Sequence, residues 1–193
     1  MLSFFRRNRN SIHKEISAKV TTKENVVALL YDINCKDKYN IPKYIGGTNI
    51  VTTHGAIHYA QRGAGGNPGT AYNFTSAVFG TNANPNPTVD SEFNDLTYLT
   101  GSVKAFTSRS TNNIDPDNLI LLIQQGDEKT VTWRFDWPAT GLNWLTPITE
   151  GMITIASPTD GSLCLCHFEF DTPFTKTSDQ ILKLLVNHKF AGV

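Results

Sequence analysis

Between Thr130 and Phe190 lie runs in which apolar residues recur at every second position, joined by a turn and a polar break, and that period marks the runs as strands. Thr130-Val131-Thr132-Trp133-Arg134-Phe135-Asp136 places Val131, Trp133 and Phe135 on one side and Thr132, Arg134 and Asp136 on the other. Met152 to Ser157 is apolar and β-branched, and Pro158-Thr159-Asp160-Gly161 follows as a turn. Ser162 to Asp171 then sets Cys164, Cys166, Phe168 and Phe170 on one face and Leu163, Leu165, His167 and Glu169 on the other. Residues 152–171 are expected to form an antiparallel hairpin. Ile181 to Phe190 alternates through Leu182, Leu184, Val186, His188 and Phe190 and reads as a further strand.

The first half is less regular. Thr22 to Asp32 reads as a helix: Thr21 or Thr22 caps it, Glu24 faces the positive end of the dipole, and Val26, Leu29, Leu30 and Ile33 form a stripe. Ile41 to Ile45 is expected as a short strand, Gly46-Gly47 as a turn, and Ile50 to Gln61 as holding another strand. Arg62 to Thr88 is rich in Gly, Asn and Pro and is expected to be a long loop centred on Tyr72, Phe74, Val78 and Phe79. Strands are expected near Leu99–Phe106 and Leu119–Gln124, and Trp137 to Trp144 as a loop. With strand signals separated by turns and no alternating helices, the expected fold is mainly β: an antiparallel β-sandwich (residues 21–193) with one N-terminal helix, preceded by an arm (residues 1–20).

Composition agrees with a folded chain: of 193 residues, 39% are hydrophobic and 18% charged. The zero net charge hides an asymmetry, because residues 1–43 hold nine basic and four acidic residues. Phe4, Phe5, Arg6, Arg7 and Arg9 make the tip of the arm both apolar and basic. Such a tip suits an acidic protein neighbour better than nucleic acid, for which the arginines form a small footprint. Arg6 and Arg7 cut the apolar start short of a signal-peptide core, and Leu119 to Ile123 is too short to span a bilayer, so no membrane association is expected.

Motifs for chemistry are sparse. Gly46-Gly47-Thr48 lacks the spacing and lysine of a phosphate loop. His54 and His58 have metal-ligand spacing only on a helix, and the glycine and β-branched neighbours argue for a strand. Cys164 and Cys166 are two apart with no second pair to close a metal site, and they read as core residues. With no GxSxG elbow, paired-carboxylate motif or metal triad, the expectation is a non-enzyme without metal or cofactor. Aromatic side chains on loops instead mark interfaces, so Tyr72, Phe74, Phe79, Trp137 and Trp144 join the arm residues as interface candidates. The two tryptophans also suit a sugar-stacking platform, or a plug for one end of the fold.

Ile148-Thr149-Glu150-Gly151-Met152-Ile153, Asp160-Gly161-Ser162-Leu163 and Phe168-Glu169-Phe170-Asp171-Thr172-Pro173-Phe174-Thr175-Lys176-Thr177 resemble a pattern of tailed-bacteriophage virion structural proteins. Those proteins read I-T-E-A-G-L-F, a D-G turn, a strand ending in F, then P-F-x-K-T. Tyr44-Ile45-Gly46-Gly47-Thr48 is similar to their upstream Y-I-A-L-G-T-G. This chain has Gly151-Met152 where the family has Ala-Gly, and its last strand lacks the usual tryptophan. The resemblance implies a particle component, made in the host cytoplasm and residing in the virion. Its expected partners are copies of itself and other virion proteins, in tail, neck or baseplate. The alternatives are a capsid decoration (cement) protein and a carbohydrate-binding module that attaches to a host surface glycan.

Overall fold

The computed structural model describes residues 26–36, 41–110, 130–140 and 143–189. The basic arm, the Leu119–Gln124 strand and the first residues of the expected helix lie outside them. The described chain is mainly β, with strands β1 (Val26–Asp32), β2 (Lys43–Val51), β3 (Ser76–Gly80), β4 (Lys104–Ala105), β5 (Ser108–Ser110), β6 (Thr130–Trp137), β7 (Trp144–Thr154), β8 (Cys164–Lys176) and β9 (Gln180–Lys189). One α-helix, α1 (Thr53–Gly63), accompanies them. The strands are not divided between two sheets as a sandwich requires. They form one antiparallel sheet, in the order β4-β3-β7-β8-β2-β1-β9-β6-β5, curled into a half-barrel.

The two ends of that sheet come from one short passage of chain. Ala105 and Lys104 pair with Ser76 and Ala77 of β3, while Ser108, Arg109 and Ser110 pair with Arg134, Trp133 and Thr132 of β6. Between them Phe106 N donates to the Thr75 carbonyl at 2.9 Å and Thr107 N to the Arg134 carbonyl at 2.7 Å. Residues 104–110 thus tie both edges of the sheet. The expected strand over Leu99–Phe106 contracts to two residues because the segment changes partners at Phe106.

The concave side holds the main core. Phe79 is its hub, with ring centroids 4.7 Å from Trp137, 5.9 Å from Trp144, 6.1 Å from Phe170 and 6.3 Å from Phe174. Each such ring, fully buried, contributes roughly 1.5–3 kcal/mol. Val26, Ala28 and Leu30 of β1 and Leu182, Leu184 and Val186 of β9 complete it. On the convex side, Phe93 and Leu96 from the 81–103 loop cover Val78, Met152 and Cys164.

Four expectations change. Val26–Asp32 is a central strand, not part of a helix: it pairs with β2 and β9, and Val27 and Leu29 are buried as fully as Val26 and Ala28. A strand covered on both faces loses its alternation and reads as a continuous apolar run. Gly46-Gly47 is no turn but lies inside β2, where a Cβ on Gly47 would stand 2.2 Å from the Glu169 carbonyl oxygen of β8. Residues 53–63 are helical, not extended: Thr52 caps them by accepting from Gly55 N at 3.0 Å and itself donates to the Cys164 carbonyl at 2.5 Å. Gly55 is there for packing, since its Cβ would meet the Leu165 carbonyl at 2.0 Å. The expected loop 62–88 contains β3, all five residues of which are buried.

The 152–171 hairpin, the β6 alternation and the final strand stand as read, and Gly161 has the expected positive φ of 77°. A register shift separates Ile153↔Cys166 from Thr154↔Cys164. This bulge at Leu165 sends Cys164 to the convex cluster while Cys166 stays in the main core, so the two thiols do not share a face. Both are free and buried, and burial pushes the Cys164 thiol up to about 12.

Gly47→Ala should cost about 3 kcal/mol or more, because backbone rather than a movable side chain opposes the new Cβ. Gly63→Ala, at the helix end with nothing within 4 Å, should be neutral or stabilising by up to about 1 kcal/mol. Urea unfolding of both variants checks the contrast; equal stabilities would contradict the close approach of β2 and β8.

Candidate functional site

Three polar or exposed features stand out from the apolar framework. The first is a buried relay. Ser91 Oγ lies 3.0 Å from His167 Nδ1, and His167 Nε2 lies 2.9 Å from Glu150 Oε2. Serine, imidazole and carboxylate in that order are the components of a nucleophilic triad. Here they are 1%, 0% and 0% exposed, so no substrate reaches the hydroxyl. Ser91 Oγ accepts from Thr88 N at 2.9 Å and Glu150 Oε1 from Thr97 N at 3.3 Å. Cys164 Sγ donates to the Ser91 carbonyl at 3.0 Å. The arrangement is a clasp that fastens the 81–103 loop to β7 and β8. It was invisible in sequence because Ser91 is 76 positions from His167.

The second feature is an aromatic corner where α1 meets β6 and β9. Trp133 Nε1 donates to Tyr59 Oη at 2.8 Å, and Tyr59 Oη lies 2.5 Å from His188 Nδ1. Burial pushes the Tyr59 phenol up, so it keeps its proton, and burial pushes His188 down to about 3, so its ring is neutral. The phenol therefore donates to Nδ1, which leaves the His188 proton on Nε2, a buried atom with no partner among the described residues. His58, one turn back from Arg62, donates through Nδ1 to the Tyr72 carbonyl at 2.7 Å. Burial also lowers the pKa of His58, assisted by the positive charges of Arg109 and Arg62. The helix does bring His54 and His58 to metal-ligand spacing, but among the described residues no third ligand joins them.

Arg109 completes this corner. Its Cζ stands 4.8 Å from the Trp133 ring centroid and 5.7 Å from that of Phe106, itself edge-on to Trp133 at 5.7 Å. Cation and ring faces attract through the ring quadrupole. The β5–β6 register, which pairs Arg109 with Trp133, fixes the stack.

The third feature is the free end of the β7–β8 hairpin. Beyond Glu150 and Glu169 the strands pair only at Ile148↔Phe174 and Trp144↔Lys176, with irregularities between. The pairing of β3 stops at Glu150 and that of β2 at Phe170, so the hairpin end has no flanking strand among the described residues. Trp144, Ile148 and Phe174 turn into the core. Leu145, 72% exposed, turns outward between the buried Trp144 and the exposed Thr146 and Pro147. Lys176 is buried, which lowers its pKa, and its Nζ donates to the Thr177 carbonyl at 3.2 Å.

The sequence-based interface residues fare differently. Phe74, Phe79, Trp137 and Trp144 are buried in the main core and offer no surface to a neighbour or a sugar; Trp137 Nε1 donates to the Ser102 carbonyl at 3.1 Å. Phe79 lies on β3, hidden between turn-rich segments, Phe74 leads into it, and Trp137 and Trp144 are the end residues of β6 and β7. Tyr72 is half-buried against Phe74 and His54. Phe4, Phe5, Arg6, Arg7 and Arg9 lie outside the described residues. Sequence reasoning passed over Arg109, Tyr59 and Leu145; the one available signal was the exposed position of an apolar residue in Trp144-Leu145-Thr146-Pro147. Among the described residues no helix is long and apolar enough to cross a membrane. The chain matches no known family model, no curated protein and no solved structure.

His188 gives the fold a pH dependence of known sign. In the unfolded chain its imidazole protonates near 6.5 and in the folded chain near 3, so the folded state binds fewer protons across that window. Stability is complete above the upper value and falls as pH drops toward the lower. Between pH 7 and pH 5 the loss should be about 2 kcal/mol. Urea midpoints measured across this range should flatten in His188→Asn; an unchanged slope would assign the effect elsewhere.

Proposed function

We propose that this chain is a structural subunit of a tailed-bacteriophage particle, in tail, neck or baseplate rather than on the capsid surface, and that it works by self-association and docking. The observation that carries the reading is the free hairpin end. Apart from Tyr44–Thr48 on β2, the residues that resemble the virion pattern lie on or next to β7, β8 and their turn, and that hairpin ends in an exposed leucine with no flanking strand among the described residues. A ribbon of this kind adds to a neighbouring subunit through backbone hydrogen bonds and one apolar anchor. Pro147 and Pro173 fit that role, since proline restrains indiscriminate edge pairing while leaving side-chain contacts open.

The pattern residues also have structural reasons to be what they are. Glu150 anchors the clasp, and Gly151 leaves room for the Phe168 ring, which a Cβ would approach to 2.5 Å. The carbohydrate-binding alternative rested on Trp137, Trp144, Tyr72 and the Asn/Asp-rich loops; both tryptophans line the core and Tyr72 is half-buried, which deprives it of its stacking platform.

Leu145→Glu should abolish or sharply weaken self-association measured by light scattering while changing stability by no more than about 0.5 kcal/mol, as befits an exposed position. A wild-type chain that stays monomeric at high concentration, or a variant that associates as well as the wild type, would overturn the reading.

A further inference from the structure

We propose that the corner built from Arg109, Trp133, Phe106 and Tyr59 is a recognition site for a carboxylate side chain on an acidic segment of another protein chain. Arg109 is exposed, yet among the described residues no carboxylate pairs with it; its side chain stands over the Trp133 and Phe106 rings. The contrast with Arg134 is direct, since that arginine meets Asp136 at 3.0 Å. A guanidinium held over rings keeps N–H donors at its rim, and two of them match the two oxygens of a carboxylate. The surrounding charge favours an anion as well: among the described residues, the charges that act on His58 in this corner, Arg109 and Arg62, are both positive.

Position adds to chemistry. Arg109 sits on the segment that ties the sheet edges, so its backbone is fixed on one side by β6, and little freedom is lost when it binds. Trp133 beneath it is held by Tyr59, and Tyr59 by His188. A single fork on an aromatic floor suits a carboxylate, whereas phosphate is ordinarily gripped by several donors. The half-buried Phe106, edge-on to Trp133, offers an apolar margin of the kind that packs against a peptide. This recognition would operate in any assembly, whether or not the chain is a virion subunit.

The test is a titration of the isotope-labelled full chain with hexaglutamate at constant ionic strength, following the Arg109 Nε–H and Trp133 Nε1–H resonances by NMR. Both should shift saturably, and Arg109→Gln should weaken binding by roughly tenfold, the loss of one charge-assisted fork. Lys104→Gln, which removes the same charge from the same segment away from the rings, should bind as the wild type does. Absence of a saturable shift, equal binding by Arg109→Gln, or an equal loss in Lys104→Gln would overturn the proposal. So would inorganic phosphate binding more tightly than hexaglutamate at the same resonances.

Discussion

Residues 104–110 hold the fold together by bonding to both ends of one sheet. A curled sheet of this size has two edges, and unpaired edges recruit other chains. Here a single passage satisfies β3 with its first half and β6 with its second, and the change of partner takes place between Phe106 N and Thr107 N. With the edges joined, the concave side becomes an enclosed core in which Phe79 can touch residues of β6, β7 and β8 together. The same segment sets Phe106 against Trp133 and Arg109 over it. Closure and the cationic corner therefore share one cause.

The rest of the architecture covers what the curled sheet leaves open. Helix α1 is pinned through Thr52 to the β8 backbone where that strand bulges, and it brings Tyr59 and His58 onto the aromatic corner. The 81–103 loop lies over the convex face of β3, β7 and β8, carrying Phe93 and Leu96 into contact with Met152. Its polar clasp puts a serine, a histidine and a glutamate where water does not reach. Each has a partner, which is the condition for burying such groups without a large penalty. Among the described residues the hairpin end is the exception to this coverage, and for that reason it is the surface proposed for assembly.

Half-buried strands were legible in sequence because period two survives wherever one face differs from the other; β6 and β9 show it, and β8 shows it from Cys166 onward. It fails where both faces are covered. Val26 to Leu30 is buried on both sides, so its apolar run satisfied a helical stripe by coincidence. Turn chemistry misled at Gly46-Gly47, where glycine serves close strand approach, and helix propensity misled at Gly55, where glycine serves helix-to-strand contact. The candidate site was the least legible part. Arg109 and Trp133 are adjacent through strand register, and Tyr59 and His188 are separated by 129 positions. Contacts of that range leave no local pattern.

The most direct test of this account is amide hydrogen exchange at Phe106 and Thr107. If residues 104–110 tie the sheet, these two amides exchange as slowly as those of β6 and β3 and open only with the whole fold. Exchange at the rate of an ordinary surface loop would mean that the sheet edges are not joined, and the closed core built on that joint would have to be abandoned.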